Sequence, residues 1–355
     1  MKTSNLSKPS SIHPFVPSNR SSVNERRLKN LTALALAMVA TLVSVTPSFA
    51  AVSVEMVLIG DPDNPADPLG KDAYGRVNYA FSIAKNETTI SEYAQFLNAV
   101  AKTDTYQLYS TNMTAPANNG ISRSGSSGNY TYNVNPGSGN KPINWVSWFD
   151  AARFTNWLHN GQPGGAQDAA STEDGAYTLT GAMSGVIARN GGARFWIPSE
   201  NEWYKAAYYD PNKGGAGIGG YWSQATQSNS LAGNVIGVAD SANYNNAGWF
   251  FQAYTDVGAY GVNSQSAFGT NDQAGNVIEW NDAVIGSTQR GLRGGSYGSG
   301  LFGSEVDLDS SYRSGFDPSQ SSFNIGFRVA SVPEPTTTVI TMVSACMWII
   351  RRKRR

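Results

Sequence analysis

The side chains best suited to nucleophilic chemistry are few in this 355-residue chain. Residues 294–298 match the G-x-S-x-G pattern, which places a nucleophilic serine, here Ser296, on a sharp turn. Hydrolases with this turn use a histidine that follows the serine, whereas the last histidine of this chain is His159. The match therefore does not predict a Ser-His-Asp hydrolase.

Histidine and cysteine are too scarce for a zinc site. The only cysteine is Cys346, and the two histidines are His13 and His159. His159 precedes Asn160-Gly161, a helix stop signal, so we expect it to complement a helix dipole rather than to do chemistry. A single cysteine also excludes a disulfide within the chain.

Charged residues indicate a neutral protein with one acidic segment. The chain has 26 basic and 26 acidic residues, so we expect no electrostatic surface for nucleic acid. Glu305, Asp307 and Asp309 alternate along a short segment and are candidates for general acid-base chemistry. A run of this kind is more often a solvated loop.

Three helices are predicted from capping boxes and apolar stripes. Each follows a Ser or Thr with an acidic residue three positions later. The predicted helices are Ile90 to Ala101 after Thr89, Trp148 to Leu158 after Ser147, and one after Ser199 that ends at Tyr208. We interpret their aromatic side chains as core rather than as a cofactor site.

Strands and long loops account for much of the remaining chain. The segments Val54 to Gly60, Tyr79 to Ile83 and Arg194 to Ile197 are predicted strands, and the second has the period-2 character of a strand with one buried face. From Ala242 onward the pattern indicates short strands and turns. Loops of the length seen here are usually functional or cover the surface, and they span residues 112–141, 161–192 and 211–242.

Residues 1–50 have the organisation of a secretory signal peptide with a long n-region. Basic residues at positions 26, 27 and 29 precede the apolar stretch Leu31 to Val45. Ser48-Phe49-Ala50 then provides small residues before a cut at Ala51. The sequence therefore predicts an exported protein.

Residues 332–355 resemble a PEP-CTERM sorting signal. Val332-Pro333-Glu334-Pro335 is followed by the apolar run Thr336 to Ile350 and by the basic residues Arg351 to Arg355. The run is shorter than the roughly 20 residues of most membrane spans, so the basic end supports the interpretation most. The resemblance implies transient inner-membrane anchoring, processing by an exosortase-type enzyme, and delivery to the envelope, outer surface or extracellular matrix.

Six segments in order resemble the formylglycine-generating enzyme (sulfatase-modifying factor) family. They are Ile83 to Thr89, Pro142 to Trp148, Trp196 to Trp203, Gly275 to Trp280, Arg293 to Tyr297 and Asn324 to Arg328. The resemblance implies that residues 51–331 form a single α+β domain. It also implies a C-type-lectin-like fold with little regular secondary structure.

The resemblance further implies calcium sites built from loop oxygens. The ligands of the first site would be the carboxylates of Asp272 and Glu279 and the carbonyls of Gly275 and Val277. A second site matches Asn243 and the carbonyl of Tyr244, although the segment that follows is shortened. The alternative is that Asp272 and Glu279 only cap turns.

The catalytic part of the resemblance is incomplete. Active family members oxidise a substrate cysteine with O₂ at a copper ion held by two cysteines, and these positions are Ser299 and Ser304 here. The adjacent family serine is Ser296. Hydroxyl groups are poor ligands for Cu(I), which selects thiolate or thioether donors. We therefore expect a degenerate site without copper, which favours a protein that is not an enzyme.

The sequence as a whole predicts an exported, calcium-stabilised, non-catalytic scaffold that binds a ligand such as an extracellular polysaccharide or a surface protein. One alternative is an enzyme related to the family oxidases but with different chemistry. Another is a calcium-dependent glycan-binding module, favoured by Trp280-Asn281-Asp282, which resembles a lectin motif without its usual Glu-Pro-Asn partner. A matrix protein that binds nothing specific is a third alternative.

Overall fold

The computed structural model describes residues 51–68, 73–115, 120–245, 254–300 and 306–333. The predicted signal peptide, the sorting segment from Glu334 onward, Ser304 and Glu305 lie outside the described residues. Among the described residues, no helix has the length and apolar character needed to span a bilayer.

Helices and strands are mixed along the described chain, as predicted for an α+β domain. The α-helices are α1 (Ile90–Val100), α2 (Trp148–His159) and α3 (Glu200–Tyr208). The strands are β1 (Met56–Ile59), β2 (Phe81–Ala84), β3 (Ile121–Ser124), β4 (Thr131–Val134), β5 (Phe195–Trp196), β6 (Tyr209–Asp210), β7 (Gly220–Tyr221), β8 (Ile278–Ile285), β9 (Gln289–Arg293), β10 (Ser314–Phe316), β11 (Ile325–Gly326) and β12 (Ala330–Ser331). Short 3₁₀ helices occupy Thr111–Thr114, Val262–Ser264 and Val306–Leu308.

Capping boxes begin all three helices, which confirms the predicted starts. In α1, the Thr89 hydroxyl accepts a hydrogen bond from the Glu92 N–H at 3.2 Å, and the Glu92 carboxylate accepts one from the Thr89 N–H at 2.7 Å. Ser147 with Asp150, and Ser199 with Glu202, repeat this exchange. These bonds satisfy N–H groups that have no partner within the helix.

Two four-stranded sheets form the framework. The first has the order β1-β2-β12-β5 and is antiparallel, and the second has the order β10-β9-β8-β11 with only β11 parallel to its neighbour. The last strand of the described chain thus lies between β2 and β5. All four β2 side chains are buried. The predicted alternation of this strand is therefore wrong, because both of its faces are covered.

The core between α1 and α2 is aromatic, as predicted. Phe96 of α1 lies 5.4 Å from Phe154 and 5.3 Å from Trp157 of α2, measured between ring centroids. Phe327, which follows β11, packs edge-on against Phe154 at 5.4 Å. Each such pair contributes about 0.5–1.5 kcal/mol beyond its buried area. These contacts attach the two helices to the C-terminal part of the domain.

A buried ion pair connects the second sheet to the first. The fully buried Arg328 donates from Nε and Nη2 to the two carboxylate oxygens of Glu279 on β8, each at 2.7 Å. Its guanidinium also donates to the carbonyl oxygens of Ala84, Lys85 and Asn271 at 3.1, 3.2 and 2.8 Å. One side chain therefore joins the end of β2, the strand β8 and the segment before it.

We expect Glu279→Gln to lower the free energy of unfolding by about 3–5 kcal/mol, because it leaves the Arg328 charge buried without a counter-charge. Urea denaturation checks this value. The matched control is Glu55→Gln, since Glu55 pairs with Lys85 at 2.9 Å while remaining largely exposed. We expect a change of about 0–1 kcal/mol there. Equal effects in the two variants would contradict the assigned role of the buried pair.

Candidate functional site

The turn after β9 contains two of the three serines of the predicted degenerate site. Gly294 and Gly295 have positive φ angles of 98° and 66°. A Cβ atom on Gly295 would lie 2.7 Å from a Leu308 methyl carbon and 2.9 Å from the Ser299 hydroxyl oxygen. Only glycine permits this close approach. The turn buries Ser296 and Ser299 almost completely.

Ser299 is held by hydrogen bonds at a position where the resemblance implies a copper-binding cysteine. Its hydroxyl donates to the Asp307 Oδ2 at 2.6 Å and accepts from the Ser296 N–H at 2.9 Å. The group links the turn to the 3₁₀ helix that contains Asp307. Ser304 lies outside the described residues.

Side chains around this turn are also fixed by polar contacts. The Asn324 amide donates to the Ser296 hydroxyl at 3.4 Å. Glu200, the first residue of α3, pairs with both Arg293 and Arg313 at 2.7 Å. The sequence gives no local signal for the role of Glu200, because its partners lie 93 and 113 residues away. The contacts of Arg313 with Glu200 indicate a structural role.

The acidic segment does not bring its described members together as a catalytic pair. Asp307 accepts the Ser299 hydroxyl, whereas Asp309 accepts a hydrogen bond from the Ser311 N–H at 2.8 Å. Glu305 lies outside the described residues. Each described carboxylate therefore has its own local structural partner.

His159 ends α2, but it acts as a neutral hydrogen-bond acceptor. Its Nδ1 accepts from the Arg194 N–H at 3.0 Å. Burial lowers the pKa of His159, and the nearby Arg194 guanidinium lowers it further. That guanidinium donates to the His159 carbonyl at the helix end. The predicted dipole interaction of the imidazole is therefore wrong, since Arg194 supplies the positive charge.

The predicted calcium loop is shaped by residues with positive φ. Asp272, Gly275 and Asn276 have φ angles of 59°, 84° and 56°. A Cβ atom on Gly275 would overlap the Asn243 carbonyl, which accepts a hydrogen bond from the Asn276 N–H at 2.9 Å. The Asn243 amide also donates to the Asn276 side-chain oxygen at 3.0 Å. The fold thus brings a residue of the second predicted site against the loop of the first.

The two predicted carboxylate ligands have different surroundings. Both Glu279 oxygens accept hydrogen bonds from Arg328, and Oε2 also accepts from the Trp203 indole at 2.7 Å. A cation at Glu279 would have to displace the guanidinium, so this residue fits an ion pair rather than a calcium site. Asp272 accepts one hydrogen bond, from the Gly258 N–H at 2.6 Å, and fits the role of a ligand.

A further carboxyl, the buried Glu87, lies beside this loop, and the sequence gives no local signal for it. It accepts hydrogen bonds from the Val277 N–H at 3.0 Å and the Asn276 amide at 2.7 Å. Burial raises the pKa of Glu87 well above its usual range, and Asp272 and Glu279 add to the effect. Burial also raises the pKa of Asp272 to about 6. Three carboxyl groups therefore share the single positive charge of Arg328.

The second predicted site is described only in part. Asn243 and Tyr244 are buried, and the Tyr244 carbonyl accepts a hydrogen bond from the Asn234 amide at 2.9 Å. The shortened segment that follows falls largely in residues 246–253, outside the described ranges. Within the residues that the structure describes, no three His, Cys, Asp or Glu side chains are grouped to hold a metal ion.

The lectin-like sequence on β8 does not form a surface site. Trp280 and Asn281 are fully buried, and the Trp280 indole donates to the Val146 carbonyl at 3.1 Å. Asp282 pairs with Arg290 at 2.8 Å. The interpretation of Trp280-Asn281-Asp282 as sugar ligands is therefore wrong, because these side chains belong to the core and its ion pairs.

A cavity of about 440 Å³ opens elsewhere in the domain. Its walls come from the segment after α1, the β3–β4 hairpin, the start of α2, the Met183 segment before β5 and the residues just before β11. The lining includes Tyr106, Arg123, Trp145, Asp150 and Ser321. The volume lies within the range typical of small-molecule sites. Burial raises the pKa of Asp150 to about 7 despite its hydrogen bonds to Ser147.

The solved structures that match this chain share little sequence with it. A structure titled CarF is 21% identical, covers 79% of this chain and 99% of its own length, and has a TM-score of 0.48. Treponema denticola variable protein 1 is 18% identical, with coverages of 81% and 98% and a TM-score of 0.48. PvdO from Pseudomonas aeruginosa is 18% identical, with coverages of 81% and 100% and a TM-score of 0.42. These likenesses are too distant to bear on function.

The family itself is shown by a match over most of the chain. Comparison with curated proteins finds no match. Residues 63–332, however, match the family described as sulfatase-modifying factor enzyme 1-like domain. The matched region includes the glycine turn, the Asp272–Glu279 loop and the buried Arg328. The chain therefore belongs to the sulfatase-modifying factor (formylglycine-generating enzyme-like) family.

Proposed function

We propose that this chain is an exported binding scaffold of the sulfatase-modifying factor family and does not perform copper-dependent cysteine oxidation. The observation that supports this most is Ser299, whose hydroxyl donates to Asp307 and accepts from the Ser296 backbone. A hydroxyl is a poor donor to Cu(I). Here it also serves a structural purpose, because it connects the turn to the neighbouring 3₁₀ helix.

The proposal includes the C-type-lectin-like description of the fold, which the family resemblance implies. Such a framework presents loops on a rigid base, and loops positioned in this way commonly bind ligands. The proposed partners are an extracellular polysaccharide or a surface protein.

The chain is not expected to oxidise cysteine. Incubated with Cu(I), O₂ and a sulfatase peptide, it should neither retain copper against a competing chelator nor convert the peptide cysteine to formylglycine. Mass spectrometry of the peptide measures the second outcome. The comparison variant is Ser299→Cys with Ser304→Cys, which restores two thiolate donors and is expected to retain copper. Oxidation of the peptide by the unchanged chain would refute the non-catalytic function.

We further propose that the chain is exported and sorted through its two terminal segments. The support is the sequence alone: a signal-peptide pattern over residues 1–50 and the Pro-Glu-Pro, apolar and basic pattern over residues 332–355. An exosortase-type enzyme would process the second segment after transient anchoring in the inner membrane.

Intact-mass measurement on protein from the native host is expected to show a chain that begins at Ala51 and ends near residues 332–335. The reason is that both terminal segments are proposed targeting signals, which are removed, rather than parts of the folded domain. A mature species that keeps Arg351 to Arg355 would contradict the sorting proposal without affecting the proposal on catalysis.

Calcium is the cofactor that we propose for the buried loop, and the charge balance supports it. Glu87, Asp272 and Glu279 place three carboxyl groups around one guanidinium, and burial raises the pKa of the first two. A divalent cation would supply the missing positive charge. Asp272 and the loop carbonyls of Gly275 and Val277 would hold it, while Glu279 stays with Arg328.

Millimolar calcium is expected to raise the melting temperature relative to EGTA. Binding to the native state alone adds about 2.7 kcal/mol of stability at a hundredfold excess over Kd. Asp272→Asn should remove the calcium response. Asp309→Asn, at a local turn, should preserve it. An identical melting temperature of the unchanged chain in EGTA and in calcium would exclude the proposed site.

A further inference from the structure

The cavity of about 440 Å³ is built from groups that the proposed function does not yet use. Its lining includes neither the Ser296–Ser299 turn nor the Asp272–Glu279 loop. It lies where five separate segments of the chain meet, so its shape is set by the fold rather than by one loop.

One wall of the cavity is a fixed stack of aromatic rings around a guanidinium. The Arg123 guanidinium carbon lies 4.7 Å from the centre of the Tyr109 ring and 4.2 Å from that of Tyr130. Arg123 also pairs with the buried Asp104 at 3.2 Å. Because Asp104 accepts the N–H groups of Leu108 and Tyr109 as well, this wall is held rigidly.

A second aromatic group, Trp145, faces the cavity in an unusual conformation. Its φ angle is +55°, a region that bulky residues rarely adopt, and its N–H donates to the Ser322 carbonyl at 2.9 Å. Among the described residues its indole Nε1 is buried without a hydrogen-bond partner. Strained backbone and unpaired donors of this kind concentrate at binding sites.

The polar groups of the cavity combine donors and acceptors with little net charge. Asp150 is over nine-tenths buried, and one of its oxygens accepts both the N–H and the hydroxyl of Ser147, at 2.8 and 2.7 Å. Asp104 and Arg123 balance each other. Serine and threonine hydroxyls complete the lining, including those of Ser110, Thr111 and Ser321.

We propose that this cavity binds a neutral saccharide unit. A sugar ring presents C–H groups on its faces, which pack on tyrosine and tryptophan rings, and hydroxyls at its edge, which both donate and accept. The carboxyl of Asp150 accepts such hydroxyls, and the Arg123 N–H groups donate to them. The carboxyl groups of Asp104 and Asp150 would repel an anionic ligand, and the Arg123 guanidinium would repel a cationic one.

This inference deepens the proposed binding function by naming the class of ligand and the place where it binds. A chain that displays one saccharide pocket would attach to a polymer with low affinity at each site. For a single sugar unit we expect a Kd in about the millimolar range. Binding to a polymer that offers many such units is strengthened by multivalency where several copies of the chain are displayed together.

The test is a titration of the full chain with methyl glucoside, methyl galactoside, methyl mannoside and N-acetylglucosamine. Saturation-transfer NMR and calorimetry measure the binding. Glucuronate and choline serve as the anionic and cationic probes.

Met183 and Val186 are each 41% exposed, but only Met183 lines the cavity. Met183→Trp should fill the opening and weaken binding at least tenfold, whereas Val186→Trp should leave it unchanged. Trp145→Phe, which removes the indole N–H together with its five-membered ring and so part of the aromatic surface, should weaken it several-fold.

Saturable binding of at least one neutral sugar that is lost in Met183→Trp and kept in Val186→Trp supports the proposal. Failure of all four neutral sugars to bind up to about 50 mM overturns it. Tighter binding of glucuronate or choline overturns the ligand class. A sugar site insensitive to Met183→Trp and Trp145→Phe overturns the location. None of these results bears on cysteine oxidation, which the peptide assay decides separately.

Discussion

The buried contact between Arg328 and Glu279 is the interaction on which most of this structure depends. Removing a guanidinium from water costs free energy. Here each N–H group of Arg328 donates to Glu279 or to a main-chain carbonyl. Those carbonyls belong to the end of β2 and to Asn271, just before the Asp272–Glu279 loop. The pair therefore determines how the two sheets meet and where the loop begins.

The same contact limits what the loop can bind. Since Glu279 is committed to Arg328, a cation near Asp272 must be held mainly by one carboxylate and by main-chain oxygens. Such a set is chemically suited to calcium, which accepts carbonyl oxygens readily. The buried carboxyl of Glu87 adds a third acidic group to the region. It does not provide a second free ligand, because its oxygens already accept hydrogen bonds from Asn276 and Val277. A resemblance of sequence motifs alone does not reveal this division of roles.

Local features of the domain were predictable from the sequence, and long-range ones were not. The helix starts were correct because a capping box involves residues only three positions apart, as Thr89 and Glu92 are. The placement of β12 between β2 and β5 depends on pairing across more than a hundred residues, for which a short strand carries no local signal. The family motifs located Ser299 and Asp272. They did not indicate that the Ser299 hydroxyl binds Asp307, or that the backbone of Trp145 has a positive φ angle.

The glycine turn and the cavity place different demands on the fold. At the turn, Gly295 must stay small, and Ser299 joins two segments with a hydrogen bond. A serine at position 299 therefore keeps the turn closed without a thiolate. The cavity depends instead on the Asp104–Arg123 wall and on the capped start of α2, which share none of the contacts of the turn. A change in the chemistry of the turn therefore leaves the polar surface of the cavity in place, so that binding at the cavity can be selected independently.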